Sequence, residues 1–234
     1  MDSDQGLMKN DNLTITKMKQ IPLLFLGLFS ATLLFTACDD SKDEPAPSGP
    51  LEVQTATNIP ADPNVVRNPD GSTPPPNFTF YSLEESKIID KADSASTQWD
   101  IGLAGTTIIV NGGSSGPGQG EAQIVTGVFD ELTQAPETGY RADQGAELAI
   151  PTGSGNGWYN YTGNNNPQMS VLPIPGRIIV LKTAQGNYAK MEILSYYEGN
   201  PDTSTEAFAN FQTRPSDRHY TFRYAVQPNG SRRF

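Results

Sequence analysis

The sequence predicts an all-β domain of the antiparallel sandwich type, with at most one or two short helices. From position 77 onward, runs rich in β-branched and aromatic residues recur, and clusters of Gly, Pro, Asn and Ser separate them. Such runs are typical of strands, and the clusters between them are typical of turns. Several short strands in succession with a single short helical candidate favour two packed sheets.

Seven strands are predicted within residues 77–234. Their ranges are 77–83, 97–103, 106–110, 122–128, 177–183, 187–197 and 219–226. The turn Ala184-Gln185-Gly186 joins two of them as a hairpin, and the helical candidate lies at 129–133. The glycine-rich segment 112–120 lacks the Gly-Lys-Ser/Thr of a phosphate-binding loop, so we interpret it as a flexible connection between strands.

The first 37 residues have the pattern of a bacterial lipoprotein signal peptide. Lys17 and Lys19 form a positive segment, residues 21–37 are uncharged and mostly apolar, and the only cysteine, Cys38, follows. An apolar run of this length is typical of a signal peptide rather than a transmembrane helix. Small residues just before a cysteine resemble the lipobox, in which the thiol is lipidated and the signal is cut off. Residues 1–17 are interpreted as an additional leader. The alternative is an ordinary signal peptide with an incidental cysteine.

Residues 38–76 are predicted to be an acidic, proline-rich tether between lipidated Cys38 and a domain at 77–234. Prolines recur throughout this segment, and four acidic residues follow the cysteine at positions 39, 40, 43 and 44. Such a composition stays extended and packs no core. The acidic cluster resembles the signal with which Bacteroidetes export lipoproteins, which predicts a lipid-anchored protein on the outer membrane, facing the exterior. A solvated linker is the alternative interpretation of the same cluster.

Composition argues for binding rather than catalysis. The formal net charge of −10 disfavours nucleic acid as a partner, because phosphate binding needs clustered Lys and Arg. His219 is the only histidine, and no cysteine remains after Cys38. A serine triad needs a histidine with a carboxylate partner, and the usual zinc sites need several His or Cys ligands. We therefore predict that the protein is not an enzyme, and that His219 is a structural residue of its strand.

Two blocks of sequence match one known family in order and spacing. The first contains 99–103 (WDIGL), 110–113 (VNGG), the glycines of 116–120, and 138–140 (TGY); the second contains 157–159 (GWY), 177–180 (RIIV), 186–190 (GNYAK) and 220–224 (YTFRY). Together they resemble the HmuY family of haem-binding lipoproteins of Bacteroidetes. The resemblance covers most of 77–234. It implies an all-β fold, surface anchoring, and haem capture in partnership with a TonB-dependent outer-membrane receptor.

The resemblance also implies two histidine or methionine ligands to haem iron, one on each side of Trp158. Here the stretch 143–157 contains neither residue type, and the counterpart position of the second ligand, near Gly163, is not a ligand type either. Met169, in the loop 162–176, is the remaining candidate for an axial ligand, since a thioether is a soft donor that suits haem iron. The alternative is that Met169 folds back and anchors its loop on the core. Two chains that share one haem would supply two such methionines.

Further candidate ligand-binding residues surround Met169 in the sequence. Trp158, Tyr159 and Tyr161 form an aromatic cluster that could stack on a porphyrin or a sugar ring, or else belong to a half-buried strand. Arg177, together with Lys182 and Lys190, could pair with propionates, or else line a solvated strand face. The first functional hypothesis is therefore capture of haem or a related tetrapyrrole. The alternative is a glycan- or protein-binding surface module on the same fold that has lost haem ligation.

Overall fold

The computed structural model of the protein describes residues 51–63 and 68–234. Within them the strands are β1 (Gln54–Pro60), β2 (Thr79–Ser82), β3 (Lys87–Ile89), β4 (Ile101–Ala104), β5 (Thr107–Val110), β6 (Glu121–Thr126), β7 (Tyr159–Tyr161), β8 (Val171–Pro173), β9 (Arg177–Lys182), β10 (Tyr188–Ser195) and β11 (His219–Gln227). One helical turn, α1 (Glu206–Ala209), and two 3-10 turns at Lys91–Asp93 and Phe129–Glu131 accompany them. The predicted signal peptide, Cys38 and the tether up to residue 50 lie outside the described residues. No helix of the described part is long and apolar enough to cross a membrane.

The strands form two main antiparallel sheets and a small hairpin. The large sheet has the order β1-β11-β10-β9-β6, the second has the order β3-β2-β4-β5, and β7 pairs with β8. The predicted hairpin is confirmed: β9 and β10 pair in antiparallel register, and the Gly186 amide donates to the Thr183 carbonyl at 2.9 Å. The predicted short helix at 129–133 is present as a 3-10 turn. The all-β prediction is therefore confirmed.

The main core lies between the large sheet and the second sheet. Period-2 alternation sends one set of side chains from each strand into this space. The second sheet contributes Ile101, Leu103 and Val110, all fully buried, and the large sheet contributes residues such as Met191 and Phe222. The Tyr81 ring of β2 meets the Phe222 ring of β11 edge to face, with centroids 5.4 Å apart. Aromatic side chains thus join the two sheets, and the sandwich architecture follows.

The second sheet is apolar on its outer face as well. The row Ile89, Phe80, Gly102 and Ile109 runs across its four strands in register. The indole of Trp99 covers this row, with its centroid 4.6 Å from that of Phe80. A Cβ on Gly102 would lie 2.8 Å from Cγ1 of Ile109, so the isoleucine packs directly on bare backbone. A second, smaller core cluster therefore lies on the outside of this sheet.

The structure corrects the predicted start of the domain at residue 77. Strand β1, within the predicted tether, pairs with β11 and forms an edge of the large sheet. It buries Ala56 and Ile59 in the main core, and the next residue after the strand, Ala61, is fully buried as well. The prediction of an extended tether that packs no core is therefore wrong for residues 54–61.

Three buried polar side chains hold the loops in place. Asp100 accepts hydrogen bonds from the backbone amides of Leu83, at 2.7 Å, and Ala184, at 2.9 Å, which ties the second sheet to the β9–β10 turn. Asp143 accepts from the backbone amides of Val110 and Ala149.

Asn111, the third of these side chains, holds the glycine-rich segment. Its side-chain oxygen accepts from the Gly118 amide at 3.0 Å, and its backbone carbonyl accepts from the Gly120 amide. The glycine-rich segment predicted to be flexible is thus fastened by hydrogen bonds.

Candidate functional site

Met169 lies at the tip of the β7–β8 hairpin. Tyr161 pairs with Val171 in the hairpin, and the Met169 amide donates to the Gly163 carbonyl at 2.7 Å to close the turn. The backbone of Met169 has φ of +49°, in the left-handed region that a residue with a side chain adopts at a cost. Met169 is 57% exposed, so it does not anchor the loop on the core. The turn instead presents the thioether to solvent.

A second segment, which the sequence did not indicate, contacts this tip. Arg214 donates from Nη1 to the Met169 carbonyl at 3.4 Å and from Nε to the Phe208 carbonyl at 2.8 Å. Its guanidinium lies over the rings of Phe208 and Phe211, 4.9 and 4.7 Å from their centroids. Phe208 is buried, whereas Phe211 is 56% exposed. We call Met169, Phe211 and Arg214 the hairpin-tip surface: an exposed thioether, an exposed ring and a cation between them.

Helix α1 sets the position of this second segment. The Thr205 hydroxyl caps the helix by accepting from the Phe208 amide at 3.2 Å. The Phe208 ring then packs edge to face on Tyr197, with centroids 4.7 Å apart, and the Tyr197 hydroxyl accepts from the Val171 amide in β8. The helix, the hairpin and the end of β10 are therefore joined through one buried pair of rings. Arg214 extends from this junction toward Met169.

The structure separates the three predicted aromatic residues. Trp158 and Tyr159 are buried in the main core, where the Trp158 indole donates to the Thr106 carbonyl at 3.1 Å and packs 5.1 Å from the Tyr220 ring. Their faces are therefore covered by the protein itself. Tyr161 is 50% exposed and follows them on β7, in the same hairpin as Met169. Of the predicted cluster, Tyr161 presents its ring at the surface.

The predicted cations lie away from the hairpin tip. Arg177 begins β9 at the base of the hairpin, opposite Thr126 of β6. Lys182 forms an ion pair with Glu121 at 2.7 Å. The Lys190 side chain is buried, and its amine donates to the carbonyls of Phe129 and Leu132 at 2.8 and 2.9 Å. Burial lowers the pKa of this amine. Arg214, rather than these residues, is the cation that contacts Met169.

Iron donors are sparse in the described part of the chain. Those residues contain no group of three or more His, Cys, Asp or Glu that could hold a metal ion. His219 pairs with Pro60 of β1, and its Nδ1 lies 2.7 Å from the Asp217 carbonyl. Met191 is fully buried in the core. Met169 is thus the exposed thioether of the described residues, and no second exposed thioether stands beside it.

Comparison with known families decides the relationship that the sequence blocks indicate. The family model described as HmuY protein matches residues 75–212, which is more than half of the chain. The protein belongs to the HmuY family. The matched range includes the β7–β8 hairpin, α1 and all four strands of the second sheet. No curated protein matches the sequence.

Solved structures of distant proteins resemble the chain. A candidate HmuY-like heme-binding protein from Bacteroides vulgatus is 17% identical, with 74% of this chain and 90% of that chain covered and a TM-score of 0.44. The apo HmuY analog of Tannerella forsythia is 15% identical, with 76% of this chain and 97% of that chain covered and a TM-score of 0.41. Apo PinO from Porphyromonas gingivitis is 14% identical, with 77% of this chain and 100% of that chain covered and a TM-score of 0.43. The family assignment rests on the family model and not on these likenesses.

Proposed function

We propose that this HmuY-family protein captures haem or a related tetrapyrrole, with Met169 as an axial ligand. The observation that carries the proposal is the hairpin-tip surface. Met169 is 57% exposed, and its backbone carbonyl accepts from Arg214, whose guanidinium lies over the exposed ring of Phe211. Arg214 connects the two exposed residues, because it contacts both Met169 and Phe211. The tip therefore combines the chemistry that a flat, apolar, anionic metal complex requires.

Each residue of the tip has a separate role in this proposal. The Met169 sulfur would donate to the iron, which is the Lewis-acidic centre that haem supplies when bound. Phe211, and Tyr161 of strand β7, would offer ring faces to the macrocycle. Arg214 keeps N–H groups beyond those that hold the Phe208, Ala209 and Met169 carbonyls, and these would pair with a propionate. The net charge of −10 offers a dianion no long-range attraction, so binding depends on these local contacts.

The cellular context of the proposal comes from the sequence. Lipidation at Cys38 would anchor the protein to the outer membrane, facing the cell exterior, and captured haem would pass to a TonB-dependent receptor. The protein would thus serve iron acquisition as a binding protein and not as an enzyme. Because one chain presents one exposed thioether in its described part, two chains that share a haem would complete the second axial position.

A haemin titration tests the proposal directly. Residues 51–234 contain both sheets and the whole described core, so a chain that begins at residue 51 is the material to use. We expect a shifted Soret band and, after reduction, sharp visible bands, both lost in Met169→Leu, which keeps the apolar volume and removes the sulfur. Sedimentation of the complex reports whether one or two chains bind each haem. A wild-type spectrum identical to that of free haemin would contradict the proposal.

The second candidate function is a surface module that binds glycans or proteins. The single exposed thioether among the described residues favours it, because two strong axial ligands are not assembled within one chain. Haemin would then leave its spectrum unchanged, and a glycan array or a pull-down with surface proteins would return a specific partner. Met169→Leu would leave that partner's affinity unchanged, which distinguishes the two functions.

A further inference from the structure

A cavity of about 830 Å³ opens on the outer face of the second sheet. Phe78, Phe80 and Ile109 form its floor, and Leu148 lies at one side. Antiparallel sheets commonly turn one face to the core and one polar face to water. In this sheet both faces are apolar, and the cavity leaves part of the outer one uncovered by protein.

Hydrogen bonds from buried groups hold two of the cavity walls. The first wall, Ser94 and Ala95, is fixed by the Trp99 indole, which donates to the Ser94 carbonyl at 2.9 Å. The second wall, Gly113–Pro117, is fixed where the Ser114 amide donates to the Asp143 carbonyl at 2.8 Å. Asn111, fully buried, links the two segments.

Asn111 makes that link with both ends of its side-chain amide. Its Nδ2 donates to the carbonyls of Ser96 and Trp99 at 2.9 and 2.8 Å, next to the first wall. Its Oδ1 accepts from the Gly118 amide at 3.0 Å, next to the second wall. The third side, which contains Gly145 and Leu148, is fastened because the Gly145 amide donates to the Ser114 hydroxyl at 2.8 Å. The cavity is therefore formed before any ligand binds, which lowers the entropic cost of binding.

The cavity lining contains no charged side chain, although the chain has a net charge of −10. Hydroxyl groups of Ser94, Thr107, Ser114 and Ser115 are its polar side-chain groups. Four other cavities of the described chain each have at least one carboxylate in their walls. A charged ligand would find no counter-ion in this cavity, and an apolar one would find aromatic and aliphatic side chains.

We propose that this cavity is a binding site for an uncharged small molecule whose surface is mainly apolar. The volume falls within the range of about 300–1,000 Å³ that is usual for such ligands, and a few hydroxyls around an apolar floor fix orientation. The lining contains no histidine, methionine, tyrosine or cysteine, so it offers haem iron no ligand. The site is thus separate from Met169, and it does not depend on the haem proposal.

The neutral apolar dye Nile red is the probe for this site. We expect the chain 51–234 to bind it saturably, with blue-shifted emission, and with quenching of Trp99, whose ring lies against Phe80 of the cavity floor. Ala95→Glu places a carboxylate in the wall at an exposed position and should weaken the dye's affinity at least tenfold. Ala92→Glu, at an exposed position of the preceding 3-10 turn outside the cavity lining, is the matched control and should change the affinity less than twofold.

Two further variants keep the test decisive. Pro117→Glu puts the charge in the second wall and should repeat the loss, which guards against a local effect of Ala95→Glu on folding; urea midpoints of both are measured alongside. Met169→Leu should bind the dye as the wild type does, because it lies outside the cavity. Absence of saturable binding by the wild type would overturn the proposal, and so would equal affinities of the wild type, Ala95→Glu and Pro117→Glu.

Discussion

At the scale of single residues, Asp100 shows how one buried carboxylate joins two elements and makes stability depend on pH. Only 1% of it is exposed. Burial raises its pKa from 3.8 to about 6, and the amides of Ala184 and Leu83, which donate to it, offset part of that rise. Because the folded protein holds this proton more tightly than the unfolded chain, stability falls as the pH rises through this interval.

We therefore expect the titration of Asp100 to lower the free energy of unfolding by about 2 kcal/mol between pH 4 and pH 7. In Asp100→Asn this contribution disappears, since an amide does not titrate, while one backbone amide loses its acceptor at every pH. The measurement is urea unfolding of both proteins from pH 4 to pH 7. The other carboxylates cancel in the difference between the two curves, and a difference that stays constant across this range would refute the assignment.

At the scale of secondary structure, the sequence predicted the strands that carry runs of β-branched and aromatic residues. It missed β1 and the three-residue strands β3 and β8. The register between β1 and β11 shifts between Ala56 and Ile59, and Asn58 within it has φ of +55°. Such a bulge places buried residues three apart, so period-2 alternation fails. The surrounding prolines then made the segment look like a linker. Strand β9 is recognisable because four consecutive apolar residues lie between two basic ones, and β11 because aromatic residues recur in it. Strand β1 is defined instead by its pairing with β11.

Strand β1 should contribute to stability although it lies in the predicted tether. Ile59→Ala removes a side chain that is 8% exposed and packs in the main core, so we expect a loss of about 2–3 kcal/mol in the free energy of unfolding. Val53→Ala, in the same segment but 47% exposed, is the control and should change stability by less than about 0.5 kcal/mol. Equal and negligible effects in urea unfolding would mean that residues 54–60 are a tether after all.

At the scale of the whole molecule, the candidate site could be predicted only in part. The sequence left two interpretations of Met169 open, an iron ligand or an anchor of its loop on the core, and its exposure of 57% removes the second. Phe211 and Arg214 follow Met169 by more than forty positions, and only the packing of α1 on the hairpin brings them to it. Trp158 was a candidate ligand-binding residue and is buried in the main core. The sequence could not decide this, because an aromatic residue beside a strand has the same pattern whether it faces a ligand or the core.

The same packing predicts that the two large sheets unfold together. The main core takes side chains from both sheets, so neither sheet keeps its buried surface without the other. Asp100 also joins them, because it accepts from Leu83 after β2 and from Ala184 in the β9–β10 turn. Trp99 reports on the outer face of the second sheet, and Trp158 on the main core. In Trp158→Phe, fluorescence of Trp99 and far-UV circular dichroism should give one urea midpoint, and in Trp99→Phe fluorescence of Trp158 should coincide with circular dichroism as well. Comparison within each variant removes the effect of the substitution itself. An earlier Trp99 transition would show that the second sheet, and with it the uncharged cavity, opens before the main core.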